Sequence, residues 1–69
     1  MNYLNQELIE IGKEVLTKSD RILIFDRCKF DKESSVYAAL QGKRKITNEQ
    51  ASIIQDIVRK AYARSVPQQ

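Results

Sequence analysis

The chain has 69 residues, of which 42% are hydrophobic and 30% charged, and its formal net charge at pH 7 is +3. A chain this short can form one compact core but not two, and its composition is that of a folded domain rather than a disordered segment. It has no apolar run near the roughly 20 residues that a membrane-spanning helix needs, and its polar start is unlike a secretory leader. We therefore expect one domain over residues 1–69, located in the cytoplasm.

Histidine is absent from the sequence, which excludes histidine bases, Ser/His or Cys/His nucleophile pairs and imidazole metal sites. Gly12 and Gly42 are too far apart for a phosphate-binding loop. Cys28 is the only cysteine, so we expect a small core residue in a reducing compartment. The sequence thus predicts no enzyme activity, no metal, no cofactor and no small-molecule ligand.

Charge is distributed unevenly along the chain. The net charge is −2 over residues 1–20, +1 over residues 21–40 and +4 over residues 41–69, where six basic residues face two acidic ones. This asymmetry favours a polyanionic partner, although Lys and Arg that only solvate a helical surface would give the same counts.

Apolar periodicity predicts an all-α domain of four helices, at about residues 3–17, 20–29, 32–41 and 48–64. In the first helix the spacing indicates a buried stripe of Leu4, Leu8, Ile11 and Val15, which Ile9 and Leu16 widen. Ser19 or Asp20 is the expected cap of the second helix, whose apolar residues do not distinguish helix from strand. A helix is favoured over residues 21–30 because a lone strand would have no partner, and a strand paired across a dimer is the alternative.

Clear end signals frame the last two helices. Asp31 is the expected cap of the third helix, and Gly42 is placed to end it. Thr47-Asn48-Glu49-Gln50 is a capping box that starts the fourth helix, and Pro67 should stop it. The third helix would bury one face and expose the other. The expected buried residues are Val36, Ala39 and Leu40, and the expected exposed residues are Ser34, Tyr37, Ala38 and Gln41.

The segment from Ser34 to Thr47, SSVYAALQGKRKIT, resembles the recognition-helix region of the lactose and purine repressor headpieces. In that family a Ser/Thr-Val-Ser-x-x-Leu/Ile-Asn-Gly-like stretch runs through a basic residue to a Val or Ile and the cap of the next helix. The run from Leu40 to Arg44 is also similar to the Leu-x-Gly-Lys-Arg ending found in phage Cro and repressor domains. The resemblance covers roughly residues 20–63 and is specific only from Ser35 to Gln50.

This resemblance implies a helix-turn-helix whose second helix reads the major groove of DNA. The implied base-facing residues are Ser34, Ser35, Tyr37, Ala38 and Gln41. The implied phosphate contacts are Lys32, Lys43, Arg44 and Lys45. The chain departs from both families at Phe25-Asp26 and Lys29-Phe30, where they usually have small residues, so the turn is expected to be longer or differently angled.

The sequence therefore predicts a small DNA-binding transcriptional regulator or an accessory factor of a phage or mobile element. Two copies, as a homodimer, would be expected on neighbouring half-sites, paired through the first helix or through residues 59–69. The alternative is a protein-interaction module, antitoxin-like or inhibitory, that keeps a helix-turn-helix shape without binding DNA.

Overall fold

The computed structural model describes residues 2–65 and confirms the all-α prediction. Its helices are α1 (Gln6–Val15), α2 (Lys18–Cys28), α3 (Glu33–Leu40) and α4 (Asn48–Ser65). Residues 21–28 are helical, so the strand alternative is wrong for this segment. The expected stop at Pro67 lies outside the described residues.

The segment before α1 is extended, which shortens that helix relative to the prediction. Asn5 is its N-cap, and the Asn5 side chain accepts a hydrogen bond from the backbone N–H of Glu7 at 2.8 Å. Asn2 forms an isolated antiparallel bridge with Ile46, with N–H to O distances of 3.0 and 2.7 Å. The bridge joins the start of the chain to the loop between α3 and α4, and Leu4 enters the core beside it.

The buried stripe of α1 is rotated from the predicted one. Ile9 is 5% exposed, whereas Leu8, Ile11 and Val15 are only half-buried. The rotation follows from the tertiary position of Ile9, whose side chain reaches the turn at Gly42 after α3.

Thr17, rather than Ser19 or Asp20, is the N-cap of α2. Thr17 and Asp20 form a capping box, with the Asp20 carboxylate accepting from the Thr17 N–H at 2.9 Å. Asp20 is buried and also pairs with Arg64 near the end of α4, at 2.7 Å. Because the Arg64 guanidinium donates to it, the pKa of Asp20 lies below the ordinary value of 3.8. This pair fastens the start of α2 to the end of α4.

The long helix α4 starts as the capping box predicts. The Gln50 N–H donates to the Thr47 hydroxyl, and the Thr47 N–H donates to the Gln50 side chain, each at 3.0 Å. The Gln50 amide also donates to the carbonyl of Cys28 at 3.0 Å, which ties α4 to the last turn of α2. Cys28 is buried, as expected, and burial raises the pKa of its thiol to about 11.

The core lies where α4 packs against α1 and α2, with α3 packed against α2. Its fully buried side chains include Ile24, Ile46, Ile54 and Val58. Among the helices of residues 2–65, none is long and apolar enough to cross a membrane.

Candidate nucleic-acid interface

The short helix α3 has two distinct faces. Val36 and Ala39 are 2% and 0% exposed and fix the helix to the core. On the opposite side Ser34, Tyr37 and Gln41 are exposed, as the spacing predicted. Ala38, expected to be exposed, and Leu40, expected to be buried, are both half-buried. Eight residues of helix are about 12 Å long. A B-DNA major groove is about 12 Å wide and admits such a helix.

Gly42 ends α3 in a left-handed turn, as predicted. Its φ angle is 72°, and the turn has both hydrogen bonds of a Schellman motif: the Gly42 N–H donates to the Ala39 carbonyl at 3.1 Å, and the Lys43 N–H to the Ala38 carbonyl at 2.9 Å. The chain then reverses direction, so the basic loop of Lys43, Arg44 and Lys45 begins directly beside the exposed face of α3. All three loop residues are exposed.

Ser35 does not belong to the exposed face, so its assignment as a base-facing residue is wrong. It is 3% exposed and its hydroxyl is used inside the protein. The hydroxyl donates to the Asp31 carboxylate at 3.2 Å and accepts from Nη1 of Arg44 at 2.6 Å. The Arg44 guanidinium also lies over the ring of Phe30, 5.3 Å from its centroid. The loop therefore folds back to the first turn of α3.

The start of α3 differs from the prediction by one residue. Lys32 is the N-cap, with an extended backbone, and among residues 2–65 its side chain has no capping partner. Asp31, the expected cap, instead accepts from Ser35. A hydrogen bond from its own backbone, with that from Ser35, places the pKa of Asp31 below 3.8. Lys32 is exposed, beside the acidic side chains of Asp31 and Glu33.

Arg21 borders α3 on its other side and was not identified from the sequence. Its guanidinium lies 5.6 Å from the centroid of the Tyr37 ring, and its Nη1 donates to the Leu16 carbonyl at 3.4 Å. A groove between α2 and α3 of about 330 Å³ is lined by Arg21 and Tyr37, with Ile22 and Phe25 as its apolar wall. The i,i+4 periodicity of α2 does not predict the contact between Arg21 and Tyr37, because this contact depends on how α3 packs on α2.

The structure thus brings together most of the predicted site. Ser34 and Tyr37 of α3, its C-cap Gln41 and the half-buried Ala38 meet the basic loop where the Lys43 N–H donates to the Ala38 carbonyl, and Lys32 is the N-cap at the other end of this surface. We call this surface the α3–loop surface. Its members are Lys32, Ser34, Tyr37, Ala38, Gln41, Lys43, Arg44 and Lys45.

Comparisons with protein-family models, with curated proteins and with solved structures found no match to this chain.

Proposed function

We propose that this protein binds duplex DNA through the α3–loop surface, with α3 in the major groove. The observation that carries the proposal is the direct adjacency of an exposed Ser/Gln face and a cationic loop, which the turn at Gly42 creates. Gln41 can make paired hydrogen bonds to adenine, and hydroxyl side chains can contact several base edges. Loop cations can meanwhile neutralise the phosphates that flank the groove.

Each part of the surface has a separate role in this proposal. Ser34 and Gln41 contact base edges, the half-buried Ala38 permits close approach, and Tyr37 contacts the backbone or a thymine methyl group. Lys43, Arg44 and Lys45 bind phosphates of one strand. Lys32 binds a phosphate at the other end of α3.

Salt dependence tests the electrostatic part. If four cations displace counterions from B-DNA, a plot of log affinity against log salt concentration should have a slope of about −4. Replacing Lys43 and Lys45 by Ala should flatten this slope by nearly 2 for every duplex. Lys60→Ala is the matched control, because Lys60 is an exposed cation on α4 paired with Asp56 at 3.1 Å, outside the surface. No binding to any duplex at low salt, with the helical fold intact, would refute the proposal.

Sequence preference tests the role of the helix. Selection of duplexes from a random pool should recover a preferred site. Gln41→Ala should lower the free-energy difference between the preferred base and the other bases at one position of that site by about 1–3 kcal/mol. Double-stranded RNA of the same length is a control, because its deep, narrow major groove does not admit a helix. Equal affinity for the two duplexes would contradict reading in the major groove.

We further propose that two copies bind neighbouring half-sites, since one short helix covers only a few base pairs. Binding measured by sedimentation should then show two chains on each preferred duplex. The preferred site would be two half-sites about 34–36 Å apart.

A second candidate function, binding to another protein, is favoured by the exposed apolar residues of α2. Ile22 is 56% exposed and Leu23 is 37% exposed, and Ile22 lines the groove beside α3. Ile22→Ser should leave DNA binding intact if DNA is the ligand. If a protein is the ligand, capture of that protein should be lost while the Lys43 and Lys45 substitutions have no effect.

A further inference from the structure

Arg44 differs from the lysines beside it because its side chain is held in one position. Two contacts fix it: the ring of Phe30 beneath the guanidinium, and the hydrogen bond from Nη1 to the Ser35 hydroxyl. Phe30 is 7% exposed and Ser35 is 3% exposed, so both supports are part of the packed protein. Lys43 and Lys45 are exposed, and within residues 2–65 neither has a hydrogen bond or ion pair from its side chain.

Ser35 is itself held by Asp31. A serine hydroxyl can donate one hydrogen bond while it accepts others. Here it donates to Oδ1 of Asp31 and accepts from Arg44, so the three side chains form a relay from a carboxylate to a guanidinium. Alanine at position 35 would keep the helix but remove both bonds.

The guanidinium keeps donors for a ligand. It has five N–H groups in one plane. Its hydrogen bonding to residues 2–65 involves Nη1 alone. A planar guanidinium with free N–H groups matches the geometry of two phosphate oxygens, which an ammonium group cannot.

From this geometry we infer that Arg44 is a pre-positioned, two-pronged phosphate ligand, and that Ser35 and Asp31 are its positioning residues. The inference rests on the proposed DNA-binding function. It adds a role for a buried serine that does not touch DNA, and it distinguishes Arg44 from the other cations of the loop. The ligand is a phosphodiester of duplex DNA, bound without regard to base sequence.

A double-mutant cycle on duplex binding tests the inference. We expect Ser35→Ala to weaken binding about tenfold, because an Arg side chain released from its rotamer must be ordered on binding. The slope of log affinity against log salt should stay unchanged, since the charge remains. Arg44→Ala should flatten that slope by about 0.9. In the Arg44→Ala background, Ser35→Ala should have no further effect.

Two matched pairs of variants, at positions 44 and 31, separate the positioning of the guanidinium from effects of charge and of folding. Arg44→Lys keeps the charge but loses the planar fork, so its affinity should fall between those of the unchanged protein and Arg44→Ala while its salt slope stays near that of the unchanged protein. Asp31→Asn and Asp31→Ala remove the same charge, but only Asn keeps an oxygen that accepts from Ser35. The Ala variant should therefore bind several-fold more weakly than the Asn variant.

The results that overturn the inference are distinct from those that overturn the function. If the unchanged protein binds no duplex, the proposed function fails and Arg44 has no phosphate to bind. If it binds but Ser35→Ala costs the same with and without Arg44, Ser35 is only structural. Equal affinities of the Asn and Ala variants at position 31 would likewise show that the relay does not position Arg44.

Discussion

Replacing Gly42 by Ala should destabilise the protein for two separable reasons. The φ angle of 72° is a left-handed conformation that costs a residue with a Cβ atom about 1–2 kcal/mol. A Cβ at position 42 would also lie 2.6 Å from Cδ1 of Ile9, which is buried and must move. Moving a packed side chain in this way costs about 1–3 kcal/mol. A lower entropy of the unfolded chain returns about 0.4–1 kcal/mol.

Taken at the middle of each range, these contributions give a net loss of about 2–3 kcal/mol in the free energy of unfolding. Denaturation by urea, followed by circular dichroism at pH 7, measures it. For a domain of this size, such a loss lowers the midpoint of thermal unfolding by roughly 10–20 °C.

The contribution of the contact can be isolated with Ile9→Val, which removes the Cδ1 atom. Alone, this substitution should cost about 0.5–1.5 kcal/mol. In its background Gly42→Ala should cost only about 1 kcal/mol, the backbone part of the penalty. The same cost for Gly42→Ala in both backgrounds would refute the reasoning that Ile9 packs against this turn. Gly42→Asn is a further check, because Asn tolerates the left-handed conformation but keeps the Cβ clash.

Three other substitutions test contacts that define the fold. Lys29 has a φ angle of 57°, so Lys29→Gly should raise the free energy of unfolding by about 0.5–1 kcal/mol in the same urea assay; a loss of stability would contradict this. Asp20→Asn should cost about 1 kcal/mol at pH 7, since it replaces the charged acceptor of the hydrogen bond from Arg64, whose side chain is 56% exposed, by a neutral one. Because the folded pKa of Asp20 lies below 3.8, the contribution of this carboxylate is complete above that value and disappears as the pH falls through the folded pKa. Urea titrations from pH 7 down to pH 2 should therefore show the two proteins converging, and a constant difference would exclude the ion pair as the cause. Gln50→Glu keeps the acceptor of the capping box but loses the donor to the Cys28 carbonyl, so it should cost about 1–2 kcal/mol by urea denaturation, whereas an unchanged stability would show that this bond contributes little.

Local signals in the sequence were sufficient for the carboxyl end of α3 and the start of α4. Gly42 and the Thr47–Gln50 capping box act through bonds between residues close in sequence, and the structure has those bonds where the pattern predicted them. The start of α2 was misplaced by the same kind of reasoning. Thr17 was missed as the cap because its capping partner is Asp20, and Glu or Gln is the usual residue at that position.

Contacts between residues far apart in sequence could not be predicted from periodicity. The family resemblance implied that Ser35 faces the bases, and only the loop that returns through Arg44 shows that its hydroxyl is occupied. Because α2 has four consecutive apolar residues, its sequence does not show which face of the helix is buried. In the structure Ile24 is buried and Ile22 is exposed. The spacing of apolar residues within one helix does not show which other helix packs against it.

The bridge between Asn2 and Ile46 has a consequence for the order in which the protein assembles. During synthesis Asn2 leaves the ribosome before its pairing partner Ile46, which is made only after α3 is complete. Closing such a distant contact is slower than forming a local helix. The cationic loop next to Ile46 should thus reach its final shape late, after the helices themselves have formed.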